Sequence, residues 1–128
     1  MDRDESLSRL FKVLMHPARL EILEILRQGE ECVCHMEAAL GYRQAYISQH
    51  LMVMREAGLV DDRRDGWNIF YRVTEPRVFA LVDQARVIVG TPARPAKTRG
   101  RSPACPCPKC AAAKTNQAAL ARPAVEVG

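Results

Sequence analysis

The chain has 128 residues, of which 48% are hydrophobic and 27% are charged, so it can bury the core of one modest domain and is not disordered as a whole. No apolar run approaches the length of a membrane-spanning helix, and the charged N-terminus MDRDESLSRL lacks the apolar stretch of a secretory signal. We therefore expect a cytoplasmic protein with no membrane partner.

The net charge of +4 is unevenly distributed along the chain. Residues 1–90 carry 12 basic and 14 acidic residues, whereas residues 91–128 carry seven basic residues, one acidic residue and six of the eight prolines. The composition predicts a folded domain over 1–90 and a flexible basic tail containing cysteine and proline over 91–128. Because the domain is not basic as a whole, any DNA-binding surface on it must be a local patch.

The hydrophobic spacing predicts four helices in the first 57 residues. Apolar residues from Leu7 to Met15 follow a helical period, and Pro17 suits the first turn of a second helix that ends before Gly29. A short third helix is expected from about residue 32 to residue 40 and a fourth from about residue 43 to residue 57. Gly41 allows a tight turn between these two.

After residue 58 the period changes from helix to strand. Trp67, Ile69, Tyr71 and Val73 alternate with the other residues of that segment, which indicates a strand. The segment 59–62 is its shorter partner, with Asp65-Gly66 as the hairpin turn. A last helix is predicted over 78–89. The predicted fold is mainly α with a β-hairpin wing, which is a winged helix-turn-helix.

In such a unit the second of the two short helices enters the major groove of double-stranded DNA, and the hairpin touches phosphates or the minor groove. Glutamines pair well with adenine edges, and arginines with guanine or phosphate. Periodicity alone also fits a merely solvated helix face, or a module that binds only protein. The candidate DNA-binding residues are Arg43, Gln44, Tyr46, Ser48, Gln49 and His50 on the helix and Arg63 and Arg64 on the hairpin.

Five cysteines form two groups, and closely spaced cysteines in a reducing compartment more often bind metals or undergo redox chemistry than form structural disulfides. Thiolates prefer soft ions, namely arsenic(III), antimony(III), lead, cadmium, copper(I) and zinc. Joint coordination by a C-x-C pair in a helix requires an unwound first turn, because residues two apart point to different sides. Alternatively, such cysteines are small buried hydrophobes. The candidate metal ligands are Cys32 and Cys34, then Cys105, Cys107 and Cys110 in the tail.

Four segments resemble the ArsR/SmtB family of small bacterial metal-sensing repressors: HPARLEILEIL at 16–26, ECVCHMEAALG at 31–41, ISQHLMVMREAGLV at 47–60 and DGWNIFYRV at 65–73. The resemblance covers about residues 5–90. It implies a homodimer, formed through the first and last helices, that binds a roughly palindromic operator.

The C-V-C element resembles the arsenic-sensing members, whose motif has a third cysteine three residues after the second. Glu37 occupies that place here, so we expect a tail cysteine to complete the site. Other members sense zinc through His and carboxylate ligands on the last helix. Asp83 is the only such candidate in VDQARVIV, so that site is not expected.

Three hypotheses follow. The first is a repressor that releases DNA when its thiolates bind a soft ion, with arsenic(III) or antimony(III) favoured over cadmium, lead or zinc. The second keeps the repressor but makes thiol oxidation the signal. The third is a metal-buffering protein that acts through its tail. No nucleophile–base pair, phosphate-binding glycine loop or paired acid–base motif suggests an enzyme, and no protein partner other than a second copy is evident.

Overall fold

The computed structural model describes residues 3–91, which form five helices and a three-stranded sheet. Residues 92–128 of the predicted tail, which include its cysteines 105, 107 and 110, lie outside the described residues. Among the described helices, none is long and apolar enough to span a membrane. The elements in chain order are α1 (Arg3–Leu14), α2 (Pro17–Leu26), β1 (Glu31–Cys32), α3 (Val33–Leu40), α4 (Gln44–Glu56), β2 (Val60–Asp65), β3 (Asn68–Val73) and α5 (Arg77–Val89).

The core lies where α2, α3 and α4 meet. Ile22, Met36, Ile47, Leu51 and Met54 have no exposed surface, and the buried residues of β2 and α5 extend the same cluster. The apolar residues of α4 recur at helical spacing, so one face of that helix is held in the core while its polar residues remain outside. The sequence prediction for this helix is confirmed.

The turn between α3 and α4 is built as predicted. Gly41 ends α3 in the left-handed conformation, with φ 76°, and its N–H donates to the carbonyl of Glu37 at 2.8 Å. This conformation has no steric cost for glycine and closes the helix tightly. Together with the hairpin that follows, the two helices form a winged helix-turn-helix.

The sheet has the order β1-β3-β2, and all its strands are antiparallel. The short strand β1 was not predicted. Glu31 pairs with Tyr71 and Cys32 with Phe70, so the chain is still extended at Cys32 and α3 begins one residue later than expected. Two residues are too few for a recognisable period of two.

The hairpin differs from its prediction in phase and in its turn. Asp65 pairs with Asn68, so the two turn residues are Gly66 and Trp67 rather than Asp65-Gly66. Phe70 is the buried residue of β3, although it lies out of phase with the predicted apolar face. The reason is that the side chains of Cys32, beside it on β1, and Cys34 pack on this face of the strand.

Candidate nucleic-acid interface and thiol pair

The exposed side of α4 carries most of the residues predicted to bind DNA. Arg43 ends the turn before the helix in an extended conformation, and the first turns of α4 follow directly. Ser48 is half-buried, whereas the other four are exposed: Arg43, Gln44, Tyr46 and Gln49. They form a polar face, opposite the apolar face that α4 buries, that can present donors and acceptors to a DNA groove.

His50 is placed differently from the other candidates, because it is only 6% exposed. Its Nδ1 accepts a hydrogen bond of 3.1 Å from Nε of Arg19, and Nη1 of Arg19 donates to the carbonyl of Val13. The rings of His16 and Tyr46 lie 4.3 and 4.5 Å from the His50 ring, centroid to centroid. Through Arg19 and His16, His50 connects α4 to the segment between α1 and α2.

Burial lowers the pKa of His50, and the nearby His16 and Arg19 lower it further. The hydrogen bond from Arg19 requires Nδ1 to be unprotonated, so the neutral ring carries its proton on Nε2. A second proton on the ring would oppose the Arg19 donor. The geometry therefore fits a neutral histidine that positions the helix.

The two predicted wing arginines differ in their contacts. Arg63 donates to both carboxylate oxygens of Glu30, at 2.6 and 2.9 Å, and its guanidinium lies 4.9 Å from the centroid of the Phe70 ring. These hydrogen bonds raise the pKa of Arg63. Arg64 is exposed and makes no ion pair within residues 3–91. Of the two, Arg64 is the one available to phosphate.

Cys32 and Cys34 lie at the junction of β1 and α3 and are joined by a disulfide, with their Cα atoms 5.4 Å apart. Cys32 is buried and extended, with φ −86° and ψ 157°, whereas Cys34 is half-buried in the first turn of α3. The extended residue turns both sulfurs toward one point without unwinding α3. Both pack against Phe70.

The described residues contain no complete metal cage. Among residues 3–91, no group of three or more His, Cys, Asp or Glu side chains is arranged to hold a metal ion. Asp83 instead accepts hydrogen bonds of 2.7 and 3.1 Å from Arg27, which also binds Glu24 and ties α5 to α2. The two sulfurs, joined here as a disulfide, become two soft donors only when they are reduced.

Contacts join the thiol pair to the wing, and sequence analysis did not find them. Cys32 pairs with Phe70 of β3, and two residues before Cys32 the side chain of Glu30 binds Arg63 of β2. The only signal in the sequence was an acidic pair, Glu30-Glu31, directly before a C-x-C motif. Trp67, predicted as the first residue of the alternating strand, lies instead in the turn before β3 and is fully exposed.

Comparison with known proteins agrees with this architecture. The sequence profile described as "Bacterial regulatory protein, arsR family" matches residues 16–62. The chain is 46% identical over 83 residues to the biofilm growth-associated repressor of Agrobacterium fabrum, which is 65% of this chain and 71% of that protein. It is 43% identical over 82 residues to the arsenical resistance operon repressor of Escherichia coli, covering 60% and 69%.

A solved structure shows the same fold. This is the homodimeric winged helix-turn-helix DNA-binding domain of a possible ArsR-family transcriptional regulator from Mycobacterium bovis. It matches with a TM-score of 0.61 and 31% identity, over 70% of this chain and 87% of the other.

Proposed function

The chain belongs to the ArsR family of bacterial regulatory proteins, and from that premise we propose that it is a cytoplasmic repressor and not an enzyme. It binds operator DNA as a homodimer and leaves the DNA when Cys32 and Cys34 bind a soft ion. Arsenic(III) and antimony(III) are the favoured ions, and cadmium, lead and zinc are the alternatives. One observation carries the proposal: the two sulfurs converge between the wing and the helix-turn-helix.

Operator binding is assigned to the polar face of α4 and to the wing. Gln44 and Gln49 supply the donor and acceptor pairs that suit adenine edges, and Arg43 a donor fork for guanine or phosphate. Tyr46 and Ser48 add hydroxyl groups, and Arg64 adds a phosphate contact. His50 positions α4 through its hydrogen bond with Arg19, and Arg63 stabilises the wing through Glu30.

The dimer is assigned to α1 and α5, the first and last helices. Leu7, Phe11 and Met15 lie exposed at or near α1, and Val87 and Ile88 are exposed on the last turn of α5. Exposed apolar residues grouped on two helices indicate a protein–protein contact. A second copy covering both helices would set the spacing of the two recognition helices on a two-fold operator.

The thiol site is assigned to two residues of the domain and one of the tail. When the disulfide is reduced, the sulfurs of Cys32 and Cys34 are soft ligands that lie close together, which suits a thiophilic ion and not a hard cation. Since residues 3–91 supply no third ligand of this kind, we assign the third thiolate to Cys105, Cys107 or Cys110. The tail can close on its own domain or on the partner's.

Release follows from the position of the pair. Holding both sulfurs on an ion fixes the geometry of the β1–α3 junction, and that junction contacts the wing through Phe70 and leads into the helix-turn-helix. An ion changes the DNA affinity only by the difference between its affinities for the free and DNA-bound arrangements. We expect that difference to act on the wing and on α3, which Cys32 contacts.

A second candidate signal is favoured by the disulfide itself. Oxidation removes two electrons and two protons from the thiols of Cys32 and Cys34, and hydrogen peroxide takes these up to become two waters. The oxidised pair has no thiolate to give an ion, so the two signals exclude each other at this site.

The test is fluorescence anisotropy of a labelled duplex from the region upstream of the protein's own gene. Reduced protein is titrated onto it, followed by arsenite, antimonite, cadmium, lead or zinc. We expect tight binding and release by at least one thiophilic ion. Wild-type protein oxidised with peroxide under chelator tests the redox signal.

Matched variants assign the ligands. Cys32→Ser and Cys34→Ser are expected to bind DNA as wild type does and to lose release, whereas replacing all three tail cysteines with serine is expected to weaken ion affinity. If both single variants still respond normally, the sensor assignment is wrong. If the protein binds ions through its tail but has no preference for operator over scrambled DNA, it is a metal buffer.

A further inference from the structure

Trp67 stands at the tip of the wing with its side chain fully exposed. It is the only tryptophan of the chain. Tryptophan is rarely left in water, because its indole gains more from burial than any other side chain of similar flexibility. A tryptophan that contacts nothing within residues 3–91 therefore indicates a surface that is completed by a partner.

The turn fixes the backbone position of Trp67. Gly66 has a positive φ of 64°, and Nδ2 of Asn68 donates to the carbonyl of Asp65 across the turn at 3.4 Å. With Asp65 paired to Asn68, the two-residue turn leaves Trp67 little backbone freedom. The backbone that carries the indole is thus fixed in advance of binding, which lowers the entropy lost on contact.

Charge does not explain how the wing would bind DNA. The hairpin, residues 60–73, contains three arginines and three aspartates, and the guanidinium of Arg63 is bound to Glu30. Only Arg64 and Arg72 remain for phosphates. A wing with so little net attraction to the backbone needs a contact of another kind, and an aromatic ring can supply it by apolar contact in the minor groove.

We propose that Trp67 enters the minor groove beside each half-site and selects A·T pairs there. The indole carries one N–H donor and no acceptor. A·T pairs display only acceptors in the minor groove, whereas G·C pairs add the guanine amino donor, which faces the indole donor unfavourably. The proposal rests on the operator binding proposed above and names a specificity-determining residue for it.

A second copy of the chain is the competing occupant. The exposed apolar residues that suit a dimer lie on α1 and α5, whereas Trp67 lies on a hairpin tip surrounded by charged residues. That charged setting suits DNA better than an apolar protein interface.

The experiment uses Trp67 as its own reporter. Full-length reduced protein is titrated with the labelled upstream duplex, and anisotropy of the label and emission of the indole are read from the same sample. We expect the emission to be quenched in step with the rise in anisotropy. An anisotropy rise with unchanged emission overturns the proposal while leaving operator binding intact. Quenching that follows protein concentration without DNA assigns Trp67 to the dimer and also overturns it.

Variants separate apolar contact from hydrogen bonding. Trp67→Ala is expected to weaken operator binding by roughly 10- to 150-fold, the range for burying one aromatic side chain, and to leave the salt dependence unchanged because no phosphate contact is lost. Trp67→Phe is expected to recover part of that loss. Arg64→Ala is the matched control, which should reduce the slope of log K against log salt by about 0.9 per phosphate contact.

Changing the flanking A·T pairs to G·C tests the selectivity. It should weaken the wild type by about 2- to 10-fold, as expected for one hydrogen bond, and leave the alanine and phenylalanine variants unaffected. Equal effects on all three proteins would show that Trp67 does not read the pair. Unchanged affinity of the alanine variant would remove Trp67 from the interface altogether.

Discussion

The two elements assigned to DNA, α4 and the wing, are held in the domain by different forces. Helix α4 is fixed by apolar residues, since Ile47, Leu51 and Met54 have no exposed surface. The wing packs on the same core at its base, through Val60 and Val73, and is held beyond it by polar and cysteine contacts: Arg63 to Glu30, Arg55 to Asp62 at 3.2 Å, and Phe70 against the cysteine pair.

This difference indicates which element can be regulated. Apolar burial is not directional and does not depend on a particular ion or redox state. Ion pairs respond to salt and charge, and cysteines respond to soft ions and oxidants. The recognition helix is therefore the constant part of the interface and the wing its adjustable part. The predictions below test that division.

The largest expected effect is on the constant part. Leu51→Ala removes a fully buried side chain from the centre of the core and should lower the free energy of unfolding by about 2–5 kcal/mol in urea denaturation. Met52→Ala, at the next position of the same helix, is the control, because Met52 is 60% exposed and its loss should change stability by no more than about 0.5 kcal/mol. Similar losses for both would mean that α4 is not anchored as described.

The second prediction concerns the link between the thiol pair and the wing. Phe70→Leu keeps a buried apolar residue against Cys32 but removes the ring beneath Arg63, and should cost about 1 kcal/mol of stability. The fold-decrease in operator affinity caused by the inducing ion should become smaller. Ile69→Val is the control in the same strand, with a similar stability loss expected. If the ion-induced decrease in affinity is as large in Phe70→Leu as in wild type, the signal does not pass through Phe70.

The regular, locally determined parts of this structure were predictable from sequence. Apolar spacing over ten or more residues predicts the helices α2 and α4 and the existence of a hairpin. The position of Gly41 predicts the turn between α3 and α4. The exposed polar face of α4 was predictable for the same reason, because it is the complement of the buried face.

What the sequence did not reveal depends on contacts between distant segments. His50 shares the buried face of α4 with Ile47 and Met54, but that spacing does not reveal its partner Arg19, 31 residues earlier. Phe70 is covered by Cys32 and Cys34, and β1, which brings Cys32 beside it, is too short to have a recognisable period. Arg63 was predicted to contact DNA, but in the structure it binds Glu30, which lies 33 residues earlier in the chain. Such pairings become visible only in three dimensions.

The third prediction concerns the ion pair between Arg63 on the wing and Glu30. Glu30→Gln removes the charge that holds Arg63 and releases the guanidinium toward phosphate. The slope of log K against log salt for operator binding should become steeper by about 0.9 for each Arg63 that reaches a phosphate. Stability should change little, because Arg63 is exposed. Glu56→Gln removes the same charge from an exposed site on α4, and an equal change in slope there would attribute the effect to net charge alone.

The smallest expected effect is a pH dependence of the free energy of unfolding, caused by His50 on the buried side of α4. The pKa of His50 is lowered by burial and by the nearby His16 and Arg19, whereas in the unfolded chain it lies near the usual value of about 6.5. Between these two values the unfolded chain binds the proton and the folded chain does not. The free energy of unfolding must therefore fall as the pH falls from about 6.5 through the lowered pKa.

Replacing His50 with glutamine removes this proton while leaving an acceptor for Arg19. Urea midpoints measured from pH 7.5 down to pH 5 should fall more steeply for wild type than for His50→Gln, while all other titrating groups are common to both proteins. Parallel curves would show that His50 takes up its proton equally well in the folded state. In that case Arg19 does not require a neutral ring, and α4 is held by its apolar face alone.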